Sequence, residues 1–138
     1  MPSSKLHRLG AFGAGLALSA LIDVAVKRSV TRHRTTAYAA GLSTAAIVYP
    51  AARAGRRTEP DIAAREWAAV AASAAFLGSA LALPPTTARF VVAAGWAAHP
   101  LFDILHERGT TSRLPDCYPA MCAGYDVGVA ALLATCPK

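Results

Sequence analysis

At 138 residues and 14.2 kDa the chain has the length of one domain, and 54% hydrophobic against 16% charged residues leaves too little polar surface for an ordinary soluble domain. That composition excludes intrinsic disorder, and uncharged stretches over residues 35–52 and 67–88 point to a bilayer. The 14 Lys and Arg against 8 Asp and Glu fall between or beside apolar runs with few aromatics interleaved, so they read as headgroup anchors and no nucleic-acid partner is expected.

Apolar runs bounded by charge, Pro and Gly predict five helices, at about 9–26, 36–52, 64–83, 88–106 and 118–135. The first follows Lys5, His7 and Arg8 and carries small residues at 17–20, as a signal peptide would; we expect it to stay as the first membrane helix. Ala11, Gly15 and Ser19 recur four apart on one stripe of it, the spacing that lets two helix backbones approach closely in a membrane. Asp23 falls in its outer part, where it can pair with Lys27 at i+4. His7 and His33 sit in basic segments and are expected in solvent, while Tyr38, Tyr49, Trp67 and Tyr118 lie near helix ends, where aromatic belts form.

Pro60 and Asp61 open the third helix, and Thr86 or Thr87 can cap the fourth after the Pro84-Pro85 turn. Connections at 27–35, 53–63, 84–87 and 107–117 are short enough to join neighbouring antiparallel helices. The expected architecture is therefore all-α: residues 1–138 as a single integral membrane bundle of about five transmembrane helices, multi-pass in the cell membrane with membrane lipids around it. Counting Lys and Arg on alternate connections gives 8 against 6 and favours a cytoplasmic N-terminus.

The informative segment lies late in the fourth helix, where His99, Asp103 and His106 at i, i+4 and i+7 occupy an arc of about 60° on one face. Ionisable groups at membrane depth are costly and usually face a bundle interior or a pathway. The fifth helix offers Tyr118, Cys122, Tyr125 and Asp126. Folding the two as a hairpin about residues 109–113 sets His99 level with Asp126, Asp103 near Cys122 and His106 near Pro119. Pro100 cannot donate to the Trp96 carbonyl and so frees an acceptor beside His99. Such groups could serve only to join helices, yet three on one helix with an acid, a thiol and a phenol opposite exceed what joining requires.

Imidazole and carboxylate at this spacing, with Cys122, could share a metal ion, but the pattern is no recognised metal signature, since position 100 is proline and the residue four after His99 is an acid. No metal, haem or other cofactor is expected. Cys117 or Cys122 beside His106 could make a nucleophile, though both also suit ordinary packing, and Cys136 lies about 20 Å along the helix from Cys122. Three cysteines, an odd number, make no secreted disulfide framework.

Acid-base chemistry suits these residue types best. Asp103 and Asp126 are the candidate acid or base, His99 and His106 would orient or relay protons, and Tyr125 would donate a hydrogen bond. The expected activity is isomerisation, cyclisation or opening of an apolar terpenoid, polyketide or lipid substrate entering from the bilayer. The alternative is a non-enzymatic transporter or assembly subunit in which the same cluster relays protons or joins helices.

The run Gly95, Trp96, His99, Asp103, His106, then Leu114, Pro115, Tyr118, Cys122, Tyr125 and Asp126, resembles a family of small multi-pass membrane proteins from high-GC actinobacteria. The resemblance covers the last third of the chain. It implies membrane topology and the grouping of these residues, and no particular reaction.

Overall fold

The computed structural model describes residues 2–30, 33–55, 59–107 and 114–135. Among them the secondary structure is five helices and no strand: α1 Pro2–Ser29, α2 Arg34–Ala52, α3 Pro60–Ala82, α4 Pro85–Glu107 and α5 Tyr118–Thr135. Arg32, Arg56, Arg57, Arg108, the 109–113 connection, Cys136 and Lys138, which the sequence reading uses as anchors, hinge or packing residues, lie outside the described residues.

Local chemistry fixes several helix starts. Pro60 begins α3 with Asp61 in its first turn, where the acid meets the exposed backbone N–H groups. Pro85 opens α4 in the same way, and Thr86 and Thr87 lie inside its first turn rather than capping it. A proline at the first helical position needs no N–H partner, so the helix extends one turn further back than a threonine cap would allow.

Among the described residues one helix, α1 over Lys5–Ser29, is long and apolar enough to cross a membrane by length and hydropathy. The other four interrupt their apolar runs with polar residues: Thr, Ser and Tyr in α2, Arg65 and Glu66 in α3, Arg89, His99, Asp103 and His106 in α4, and Asp126 in α5. Large apolar side chains are exposed on the outside of the bundle, and charged groups share its inside with an apolar core. Leu21, Trp67, Leu81, Phe90, Leu101 and Leu105 point outward, whereas Asp23, Arg53, Glu66, Asp103, His106 and Asp126 are buried.

Helix order in space departs from order in the chain. α5 packs between α1 and α4, α3 packs between α4 and α2, and α2 also touches α4, while α1 and α2 barely meet despite their short connection. Glycine explains the pairing of the first helix with the last. A Cβ on Gly124 would collide with the Phe12 backbone, one on Gly15 with the backbone of Met121 and Tyr125, and one on Gly128 with the Ser19 side chain. Gly124 and Gly128, four apart, thus receive the Gly15 and Ser19 stripe of α1 in a close small-residue crossing.

Across the bundle, Tyr38, Leu42, Val92, Trp96, Val129 and Leu133 form the apolar core. Trp96 donates from Nε1 to the Tyr38 carbonyl at 3.0 Å, tying α4 to α2. Asp23 does pair with Lys27, at 2.7 Å, but it also accepts from Arg34 at 2.6 Å and from the Tyr38 hydroxyl at 2.8 Å, so it links α1 to α2. Tyr38 and Tyr49 are therefore core residues and not a belt: each has a buried partner for its ring or hydroxyl, which an outward position would forfeit.

Candidate functional site

Asp126 reaches the bundle interior because of the glycine crossing. Residues two apart on a helix point about 200° apart, so seating Gly124 and Gly128 on α1 turns Asp126 towards α4. There Asp126 Oδ2 lies 2.9 Å from His99 Nδ1, and Asp103 Oδ2 lies 3.8 Å from the same nitrogen. Asp103 is fully buried and Asp126 is 2% exposed. The sequence hairpin sets His99 level with Asp126 and Asp103 nearer Cys122, whereas here Asp103 also meets His99.

His106 goes elsewhere. At 100° per residue Asp103 sits about 40° to one side of His99 and His106 about 20° to the other, so the arc is divided between two neighbouring helices. Asp103 stays at the His99–Asp126 contact, while His106 turns to α3, where its Nε2 lies 2.9 Å from Glu66 Oε1. The same oxygen accepts from Arg53 Nε at 2.6 Å. Phe102 stacks on the His106 ring with centroids 5.0 Å apart, and Tyr49 meets it edge-on at 4.9 Å. The hairpin level that would set His106 near Pro119 is thus corrected, and Arg53 is a buried ion-pair partner rather than a headgroup anchor.

Tyr125 packs its ring edge-on against Trp96 at 5.5 Å, which makes it a wall beside Asp126. Cys122 pairs with Tyr118 one turn before it on α5, and with His106 committed to Glu66 the cysteine has no base from that side. Cys117 and Cys122 are both free thiols.

His99 presents its two nitrogens to different surroundings. Nδ1 faces the carboxylates, and Nε2 is buried with no hydrogen-bond partner among the described residues. His99 also lines a partly open pocket of about 170 Å³ between α2, α3 and α4, walled by Leu42, Phe76, Gly95 and Phe102. The Ser73 hydroxyl on this pocket already donates to the Val70 carbonyl at 2.7 Å, and the rest of the lining is apolar. Asp103 and Asp126 lie behind the ring, so the residue that meets the pocket is the imidazole, not a carboxylate. A larger groove of about 450 Å³ on the outer face of α4 and α5 is lined by alanines and Val127 and offers no chemical group.

An imidazole whose Nδ1 meets a carboxylate while Nε2 has no hydrogen-bond partner among the described residues keeps one ring nitrogen uncommitted, which is what a proton donor or acceptor requires. The facing atoms of His99, Asp103 and Asp126 also lie within 4.8 Å of one another, close enough to share a divalent cation, for which one imidazole and two carboxylates are a suitable donor set.

Sequence reading missed Glu66, Arg53, Ser73, Phe102 and the α5 glycine pair. Glu66 is the last charge before the uncharged 67–88 stretch, next to Arg65, and so it looks like a boundary residue. Its signal was an acid on the helix flank that continues through Ser73 at i+7. Neither a scan against protein-family models nor searches of curated proteins and of solved structures finds a match to this chain.

Proposed function

We propose that the protein is a small membrane-embedded enzyme that isomerises, cyclises or opens an apolar substrate by proton transfer at His99 Nε2. The observation that carries this reading is the divided imidazole: Nδ1 is 2.9 Å from Asp126, and Nε2 is buried without a partner among the described residues, on a ring that lines an apolar pocket. Asp126 fixes the ring orientation and offsets its positive charge, and Asp103 adds a second negative group on the same side. The ring then gives a proton to a substrate oxygen or alkene carbon and recovers it when the product forms, so the net reaction consumes no cofactor. General acid-base catalysis of this kind contributes about 10²- to 10⁴-fold.

Embedding in a bilayer is supported by the bundle's exterior, with leucines and aromatics outside and six charged or titratable side chains inside. In that setting the pocket mouth opens to the hydrocarbon region, from which an apolar substrate enters directly.

A second reading is a non-enzymatic membrane subunit. It draws on the His99–Asp126 contact itself, because a hydrogen bond from α4 to α5 is the joint that a purely structural role requires. The deciding experiment compares apolar metabolites, by mass spectrometry, from cells producing the wild-type protein and cells producing His99→Gln. A compound altered by the wild type and unaltered by a His99→Gln protein that keeps its helical circular dichroism supports the enzyme. Identical profiles from the two refute it.

A further inference from the structure

Two carboxylates converge on one ring nitrogen. Asp126 Oδ2 lies 2.9 Å from His99 Nδ1 and Asp103 Oδ2 lies 3.8 Å from it, the second beyond hydrogen-bond reach. Nδ1 carries at most one hydrogen and cannot serve both oxygens. One donor atom from each of the three side chains still falls within 4.8 Å of the other two. Two carboxylates this close and this well buried repel each other unless a positive charge lies between them.

The other buried acids that form ion pairs each meet a permanent cation. Asp23 faces Lys27 at 2.7 Å and Arg34 at 2.6 Å, and Glu66 faces Arg53 at 2.6 Å. Asp126 differs: among the described residues its ion-pair contact is the imidazole alone, which is charged only when doubly protonated. An acid 2% exposed and without a Lys or Arg at its side is what a bound cation would neutralise.

Backbone geometry favours chelation. His99 and Asp103 stand one turn apart on α4, the spacing by which one helix face offers two ligands, and Asp126 joins them from α5, turned inward by the Gly124 and Gly128 crossing. Donors bound to a tetrahedral zinc ion at roughly 2.0–2.2 Å sit about 3.4 Å apart, between the two separations from Nδ1. Sequence spacing shows no such site because the third ligand lies on another helix. No thiol joins the group among the described residues, so the donors are one nitrogen and two oxygens. The imidazole favours a zinc-like ion over magnesium or calcium, and two carboxylates balance its double charge.

We infer that His99 Nδ1, Asp103 and Asp126 bind one divalent ion of the zinc class between α4 and α5. This goes beyond the acid-base reading and does not rest on it: the ion takes the place of the proton on Nδ1, and coordination there leaves the ring hydrogen on Nε2.

The test uses the full-length detergent-solubilised protein, stripped with EDTA, freed of chelator and titrated with zinc chloride. Exposed His7 and His33 are replaced throughout, as His7→Asn and His33→Asn, so that they contribute no zinc. One zinc per chain should survive gel filtration and resist a hundredfold excess of magnesium. X-ray absorption of the loaded protein should show one imidazole nitrogen with oxygens at about 2.0–2.2 Å and no sulfur near 2.3 Å. Asp103→Asn and Asp126→Asn should each weaken zinc binding at least tenfold at unchanged helical circular dichroism. No retained zinc, a shell containing sulfur, or unchanged affinity in both folded Asn variants overturns the site. Should either variant lose its helical signal, the absorption spectrum of the loaded protein decides without it.

Discussion

Glu66→Ala deletes the oxygen that Arg53 Nε meets at 2.6 Å and His106 Nε2 at 2.9 Å, in a cluster where the Arg53 and Glu66 side chains are 10% and 3% exposed. The guanidinium keeps its charge and loses its closest counter-charge where water reaches poorly. Removing one partner of a buried ion pair costs about 3–5 kcal/mol, a large part of the roughly 5–15 kcal/mol by which a domain is stable. Glu66→Gln keeps the volume and one carbonyl acceptor, and should cost about 1–3 kcal/mol. Replacing the cluster together, with Arg53→Met, Glu66→Leu and His106→Phe, removes every charge at once. It should bring stability back to within about 1 kcal/mol of wild type, as apolar replacement of buried pairs often does. Unfolding in mixed micelles with increasing sodium dodecyl sulfate, followed by circular dichroism, measures all three. On the proposed function the triple variant should also retain turnover, because its substitutions lie at the Glu66 cluster and leave His99, Asp103 and Asp126 in place. A Glu66→Ala protein within about 0.5 kcal/mol of wild type, or a triple variant as unstable as Glu66→Ala, would refute this account of the cluster.

Asp103→Asn preserves shape but removes a titratable carboxyl 3.8 Å from His99 Nδ1, so the protein should purify folded while turnover falls about 10²- to 10⁴-fold; full activity would exclude the proposed role. Gly124→Leu should separate α1 from α5, because even a Cβ collides with the Phe12 backbone, and a disulfide engineered across α1 and α5 should then fail to form; undiminished cross-linking would contradict the crossing. Trp96→Phe loses the bond to the Tyr38 carbonyl and should lower stability by about 0.5–1.5 kcal/mol in the same micelle titration, with no loss expected if that bond is unimportant. The membrane reading expects the protein to stay in the pellet in 1 M salt and to need detergent for dispersal, and release by salt alone would end it.

The five helices were legible because proline, charge and apolar runs punctuate the chain at intervals close to bilayer length, and the His99–Asp126 level followed from counting outward from a short connection. Where the reading failed, the information was spread over helices distant in sequence. Arg53 and Glu66 each look like boundary charges, and only the packing of α2 on α3 shows that they face one another. His106 shares an arc with Asp103, and no sequence rule says where two neighbouring helices divide that arc. Tyr38 and Tyr49 sit near helix ends, as belt residues do, and were reassigned by partners on α1 and α4. The pocket was invisible because small residues mark close packing and empty space alike: Gly95 admits Leu42 and Phe76 to near contact, while Ala72 and Ala98 leave an opening.

The mating of α1 with α5 fixes the order in which the molecule can be completed. During synthesis α1 emerges well before its docking surface on α5, so it must wait through three intervening helices with little to hold it to α2 besides the Asp23 network. His99 also waits, since Asp126 arrives on α5 as well. A chain stopped before α5 would have neither a seated α1 nor an imidazole held by Asp126. The same pairing implies that the gene can be cut in the α1–α2 connection: α1 made as a separate peptide carries the whole Gly15 and Ser19 surface and should rejoin α2–α5 without a covalent link.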